Sequence, residues 1–422
     1  MPRVSSCRPQ VERALSCIAP QIDRRHIDNL TLLIDSSMQG QTRHYHTLSH
    51  ALLVADSDDV LDILIGLCHD IVQVDVDGGL PAAAEPWLAG LVRSDDRVHF
   101  TLVDDAQTRA DQTFGIVKAI FNLQPGQLLP DFGGKNEFLS AMVACRILER
   151  AVDPSTIAAL AVGIEATIPF RKDPDGIAQR TLGALEDIDR RYGIGFSNEQ
   201  SRDYLRRSVR VANRDVGSFA SENLPAFLDD TWNLMRESSA DLRRDRPVKI
   251  DTYRLIIQKM TRFLGSLQAE NVFRCFDDEP SAHQFPHILS STSENLSIIS
   301  AVMQTKLLAV ALIETATADI TTAHLSPRIT SRSAAPRSIT HARTVESILA
   351  IGKDSSAEFD IDRSPLSHRV ISTMSAAEIK ELTNEVSDRT PISKTLLTRV
   401  PAELAKQAKE LVDLMITPCR DD

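Results

Sequence analysis

The sequence predicts an all-α protein, on three observations. Apolar residues recur at three- and four-residue spacing through long segments. Strand-like alternation is missing from those segments, and the breaks between them fall where glycine, proline and aspartate concentrate. The first strong element is VLDILIGLCHDIV, residues 60–72, which is apolar on nearly every side, as a helix buried inside an all-α domain should be. EFLSAMVACRILERA (137–151) and PSTIAALAVGIEA (154–166) read the same way. Over 198–220, Leu205, Val209, Ala212, Val216 and Phe219 form one apolar stripe on a helix. Loops are expected at VDVDGGLP (74–81), LQPGQLLPDFGGK (123–135) and IPFRKDPDG (168–176). Residues 251–273 and 294–316 are amphipathic to apolar helices, expected to form a packing layer or an oligomer surface. In HQFPH the Phe-Pro pair argues against a regular helix, which leaves His283 and His287 in a loop. Residues 325–345 read as a linker rich in Ser, Thr, Arg and Pro, and 346–422 as a small helical region.

Composition narrows the function classes. With 47 Lys and Arg against 58 Asp and Glu, the net charge of −11 disfavours an extended nucleic-acid surface or a wide anionic-lipid surface. Six cysteines stand at 7, 17, 68, 145, 275 and 419 without a CxxC pair, which suits neither a disulfide framework nor a cysteine-built zinc site and favours a reducing compartment. The N-terminal residues contain no apolar run of signal-peptide length, and no run is expected to reach the roughly 18 apolar residues of a membrane span. A cytoplasmic protein with no membrane partner is the expectation.

Of eleven histidines, four lie between 44 and 69: His44, His46, His50 and His69. Any one alone is more often a hydrogen-bonded core or surface residue than a ligand. Their joint occurrence, with Asp70 directly after His69 at the end of an apolar helix, is harder to justify by packing, because burying such a pair costs several kcal/mol unless it is matched by charge or metal. His46 and His50 are four apart and would share a face if that segment is helical. An imidazole and a carboxylate where a helix ends can both reach an ion lying between two helices, with His50 as a third ligand. Such donors suit Mn, Fe, Zn, Ni or Co, and Mg where oxygens dominate.

RHYHTLSH (43–50) followed by LCHDIVQ (67–73) resembles the signature of the HD superfamily of metal-dependent phosphohydrolases, and more closely a bacterial group of HD hydrolases with segments of the form RxYHTxxH, FHDIVY and NExxSA and a later aspartate on a helix. Here the third segment is Asn136-Glu137 with Ser140-Ala141, and the match runs over roughly residues 40 to 220. The chain departs from it at Cys68 and Gln73, where Phe and Tyr are usual, and in the length of 75–134, which reads as a lid or specificity insertion. The resemblance implies an HD-domain helical bundle core over 41–225, preceded by an N-terminal helical segment (1–40) and followed by a helical extension (226–324).

It also implies the chemistry. His50, His69, Asp70 and Asp215 would hold a divalent metal that activates water, with Asp215 preferred to Asp187 and Asp189 because it lies beside an apolar residue deep in a helix. His46 would be the general acid, read as one helical turn before the ligand. Arg43, Lys135, Arg171 and Lys172 are the candidates to meet phosphate charge, and His44 and Glu137 the candidates to orient a ligand or hold a second metal. The substrate class is a small-molecule phosphomonoester or phosphodiester, a nucleotide or cyclic nucleotide first. Two other readings stand beside it: an HD-fold oxygenase with two iron atoms, and a binding or regulatory protein without turnover. Oligomerisation is left open.

Overall fold

The structure is a computed structural model that describes residues 6–131, 133–243, 249–324, 365–388 and 395–416. It is mostly helical and divides into two units, one comprising the chain up to Ser221 together with Gln268–Thr292, the other Glu222–Leu267 and the chain from Ser293 onward. The linker expected at 325–345 lies outside the described residues.

The first unit starts with α1 (Arg8–Ile18) and α2 (Arg24–Ser37), then α3 (Leu48–Val54) and α4 (Val60–Cys68). Asp59 opens α4 by accepting hydrogen bonds from the Leu61 and Asp62 amides. Between Ile63 and Cys68 α4 is buried throughout, because α1, α3, the later α10 (Pro154–Ala166) and α12 (Asn198–Asp215) all pack on it. Glycine makes two of these approaches possible: a Cβ on Gly66 would lie 2.6 Å from the Ala55 nitrogen, and one on Gly163 of α10 would lie 2.3 Å from Ile65 Cδ1. Over 1–40, expected as an N-terminal helical segment, α1 and α2 add Val11, Leu15, Leu30 and Ile34 to the same core.

After α4 come two one-turn helices, α5 (Val74–Asp77) and α6 (Glu85–Leu88), and a two-stranded antiparallel ribbon, β1 (Val92–Arg93) with β2 (Thr101–Leu102), in register Val92 to Leu102. Then follow α7 (Ala106–Ala110), α8 (Gln112–Ile120), α9 (Lys135–Leu148), the α10 already named, α11 (Pro174–Tyr192) and α12. The 75–134 region is therefore not one lid: α8 buries Phe114, Ile116, Val117 and Ile120 and packs against α9, α10 and α11. Residues 198–220 are not one helix either, since α12 ends at Asp215 and a separate 3-10 turn covers Gly217–Ala220.

The chain returns to this unit at α16 (Ala269–Val272), after α13 (Leu224–Ser238), α14 (Ala240–Arg243) and α15 (Ile250–Ser266), which belong to the second unit. The expected extension over 226–324 thus gives one segment back. The reason is a row of contacts to α12: Arg202 and Arg206 pair with Asp277 at 2.6 and 2.7 Å, and Arg210 pairs with Glu279 at 3.1 Å. The long α17 (Phe285–His324) begins where a loop was expected around His283 and His287. Pro286 stands at the second residue of the helix, where its missing N–H costs no hydrogen bond. By length and composition Phe285–Asp319 also passes as a possible span, against the reading of the sequence, but 72% of its most apolar window is buried inside the protein. In the second unit the described residues of the C-terminal region include the helices α18 (Pro365–Thr373), α19 (Ala376–Asp388) and α20 (Ala402–Ile416).

Candidate metal centre

The stretch that carries His46 is not a helical turn. Residues 43–47 are irregular, and α3 starts after Thr47, whose hydroxyl accepts the His50 amide at 3.4 Å. His50 is therefore in the first turn of α3, while His46 lies outside it. The two rings meet edge-on all the same, with centroids 6.0 Å apart. His69 is the residue on which α4 ends and Asp70 follows it, so the two neighbours can face one point. Asp215 is the last residue of α12, a helix-end carboxylate and not the mid-helix one expected. Arg214 next to it pins that end by donating to the Val54 carbonyl at 2.9 Å and to buried Asp62 at 3.0 Å.

These three helix termini bring one nitrogen from each of His50 and His69 and one oxygen from each of Asp70 and Asp215 within 4.8 Å of one another. His69 Nε2 lies 2.7 Å from Asp70 Oδ2 and 3.2 Å from Asp215 Oδ1, and His50 Nε2 lies 2.9 Å from Asp215 Oδ1 and 3.8 Å from Asp70 Oδ2. His69 Nδ1 is 2.8 Å from the Gly66 carbonyl, which can only accept, so Nδ1 carries the proton and Nε2 faces the carboxylates. Gln73 Nε2 donates to Asp70 Oδ1 at 2.7 Å, while Asp70 Oδ2 is buried and faces the Nε2 edges of His69 and His50. A buried carboxylate oxygen of this kind, beside the free edge of an imidazole, calls for a cation. The separations agree with metal–ligand bonds of about 2.0–2.2 Å, and the mixed nitrogen and oxygen donors suit a borderline divalent ion.

Electrostatics point the same way. Burial opposes charge on all three inner groups, yet the Asp70 and Asp215 carboxylates hold the His69 imidazole well above its ordinary pKa. Conversely, the neighbouring His69, His46 and His50 hold Asp70 well below the usual carboxylate range, and His69 and His50 lower Asp215. No family model, no curated protein and no solved structure matches the chain. The centre therefore rests on its own geometry.

The other expected site residues divide. Glu137 stands near the centre at the start of α9: burial first, and then the Asp70 and Asp215 charges, push its carboxyl up to about 7, against the pull of His46. His44 is half-buried in the irregular segment. Three of the four residues assigned to substrate phosphate are engaged elsewhere. Arg43 is buried, forks onto Asp77 at 3.0 and 2.6 Å and donates to the Asp70 and Ile71 carbonyls at 2.6 and 3.0 Å, so its donors are spent holding the His69-Asp70 turn. Lys135 is buried against the Val98 carbonyl, Asp75 and Asp131. Arg171 forks onto Glu165 at 2.5 and 3.1 Å, and Lys172 is exposed on its loop. Asp187 pairs with Arg190 at the surface and Asp189 accepts the Gly195 amide, both outside the cluster.

The residues that buttress the centre were in part hidden in the sequence. Ser140 accepts the Val72 amide at 2.9 Å, Asn136 accepts the Val74 amide at 3.0 Å, and Asn136 donates to Gln73 at 2.9 Å. The NExxSA segment is thus a backbone clamp on the turn that carries Asp70. Gln73, a departure from the family's pattern, holds the outer oxygen of a ligand. Gln73→Leu should therefore weaken divalent-metal affinity by about 10- to 100-fold with little loss of helicity. Unchanged affinity in a metal titration of that variant would show that the amide does not orient Asp70.

Proposed function

We propose that this chain is a metal-dependent hydrolase of phosphate esters, with a nucleotide or cyclic nucleotide as the first substrate class to test. The observation that carries the reading is the convergence of His50, His69, Asp70 and Asp215, with one donor atom from each within 4.8 Å of the others. The order of the HD-like segments in the sequence supports it, since the same residues form the cluster. His50, His69, Asp70 and Asp215 would hold a divalent ion, whose chemistry there would be to lower the pKa of water from about 15.7 towards about 7. His50 and Asp215 are the more exposed of the four, so an ion held here would have its open positions on their side, where a phosphate oxygen could approach. His46, edge-on to His50 and close enough to Asp70 to lower it, protonates the leaving oxygen. A two-iron oxygenase needs a second set of ligands, and among the described residues one such group converges. A hydrolytic reading therefore leads.

The test is metal analysis after anaerobic purification, with a turnover screen of nucleotides, cyclic nucleotides and p-nitrophenyl esters in Mn²⁺, Mg²⁺, Ni²⁺ and Fe²⁺. Chelator-sensitive hydrolysis restored by one of these ions is the expected result. Tight metal binding without turnover of any ester would favour the regulatory reading instead. His46→Gln should keep the metal but lower kcat on an alkyl phosphate by about 10² more than on a p-nitrophenyl ester, whose phenolate departs without a proton. Equal losses on both substrates would remove His46 from the acid role.

A further inference from the structure

Each helix end that carries a ligand has to be held in place. Arg43, Asn136 and Ser140 hold the Asp70 turn, and Arg214 pins the end of α12. A second grip on that end comes from Gln268–Thr292, the segment that returns to the first unit and lies outside the stretch of sequence resembling an HD core. Asn213, two residues before Asp215, makes a two-point contact with it: Nδ2 donates to the Arg274 carbonyl at 2.8 Å, and Oδ1 accepts the Arg274 amide at 3.0 Å. A side-chain amide used at both ends fixes orientation as well as distance. The Arg274 side chain extends the tie. It is buried, and its terminal nitrogens donate to the Ala166 and Ile168 carbonyls at 2.8 and 2.5 Å. Ala166 is the last residue of α10, where carbonyls lack partners within the helix and a cation is favoured. Arg274 therefore joins the end of α10 to the last turn of α12. The cleft beside it has room for about one water, so the guanidinium serves the backbone and not a ligand. Burial and the Arg171 charge push its pKa down to about 10, against the pull of Glu165 and Asp215, so it stays a cation at neutral pH.

We propose that Asn213 and Arg274 are a positioning pair for the metal ligand Asp215. With Arg214 they tie the last turn of α12 to two different neighbours, which keeps Asp215 Oδ1 at 2.9 Å from His50 Nε2 and 3.2 Å from His69 Nε2. All four ligands lie in the part of the first unit that ends at Ser221, whereas Arg274 arrives only after the chain has passed through the second unit. The centre is thus completed by a segment that supplies none of its four ligands. The pairs that Arg202, Arg206 and Arg210 make with Asp277 and Glu279 lay this segment along α12, and Arg274 is where it meets the turn that carries Asp215. The inference rests on Asp215 as a ligand in the metal-centre reading, and it holds whichever ester, if any, is hydrolysed.

Co²⁺ is the probe, titrated into the full chain stripped of metal, because its visible absorption reports the ligands around it. Arg274→Lys keeps the charge but cannot span two carbonyls, and Asn213→Ala removes the two-point contact. Each should weaken Co²⁺ binding by about 10- to 100-fold, as losing the outer partner of a ligand does, and should change the absorption of the Co²⁺-saturated chain. Arg202→Gln is the control. It removes a pair between α12 and Asp277 of the same segment but leaves Asn213 and Arg274 in place, so affinity and spectrum should match the wild type. A fall in Tm without a change in affinity or spectrum is what a purely structural role predicts. Wild-type affinity and spectrum in the folded Arg274→Lys or Asn213→Ala chain would therefore overturn the positioning role, and so would an equal loss in Arg202→Gln. Asn213 is only half-buried, so Asn213→Ala should fold and decides the matter if Arg274→Lys does not. The underlying reading fails separately: a wild type that binds no Co²⁺ ends the metal centre itself, whereas variants that bind it as well as the wild type remove only the brace.

Discussion

His50→Ala and Asp70→Ala should each give a folded chain that loses its divalent metal and all metal-dependent turnover. His50 sits at the open edge of the cluster in the first turn of a capped helix, so removing its imidazole leaves α3 intact. Asp70 is buried, but its outer oxygen meets only the Gln73 amide, and helical circular dichroism should survive its loss as well. Losing a ligand should cost more than the roughly 10- to 100-fold in affinity that follows from losing an outer partner. Full metal occupancy in either variant would end the assignment. The pH dependence has a definite sign. His69 is held well above its ordinary pKa by two carboxylates, so its contribution to stability is complete below the ordinary histidine value and is lost as pH rises through the raised one. Asp70 is held low, and its contribution is lost only as pH falls through that depressed value. A metal takes the place of the His69 proton, so the rise in Tm on adding metal should grow from about pH 6 to about pH 8 in the wild type and vanish in His50→Ala. A shift that is flat or shrinks over that range would mean that His69 does not bind the ion.

How much of this centre was legible in the sequence depends on how local each signal is. His69 and Asp70 could be read because a helix that ends between an apolar run and a polar pair frees adjacent side chains to converge, and that ending is a local pattern. The helix start at Thr47 was legible too: a threonine before an apolar run is an N-cap signal, and reading it places His46 outside the helix. Pro286 likewise marks the start of a helix and not its interruption. Asp215 joined the cluster, but the reason lies in Arg214 and its grip on Val54 and Asp62, a contact made across about 150 residues of sequence. Nothing local tells which acceptors a guanidinium will meet. Arg43 sits beside the site in sequence and is structural, because the acceptors that it meets, Asp77 and the Asp70 and Ile71 carbonyls, lie 27 to 34 residues away. Gln73 could be counted as a departure from a family pattern, yet its use, one amide shared between Asp70 and Asn136, needs α9 in place.

Arg43→Ala should be the most destabilising single change near the site, at about 3–5 kcal/mol, because it leaves the Asp77 carboxylate and the Asp70 and Ile71 carbonyls without the donors that satisfy them. In Tm this is a fall on the order of 10 °C. Arg43→Lys separates charge from shape: an ammonium can meet Asp77 or the carbonyls but cannot span both as the planar fork does, so most of the loss should persist. Activity should fall in the lysine variant through weaker metal binding, since the Asp70 turn is no longer held, and added metal should restore part of kcat without moving KM. A substrate-binding arginine would behave in the opposite way, with Tm kept and KM raised in both variants. The choice between those outcomes follows from burial: a side chain with no exposed surface, five oxygen partners and a paired charge has nothing left to offer a phosphate.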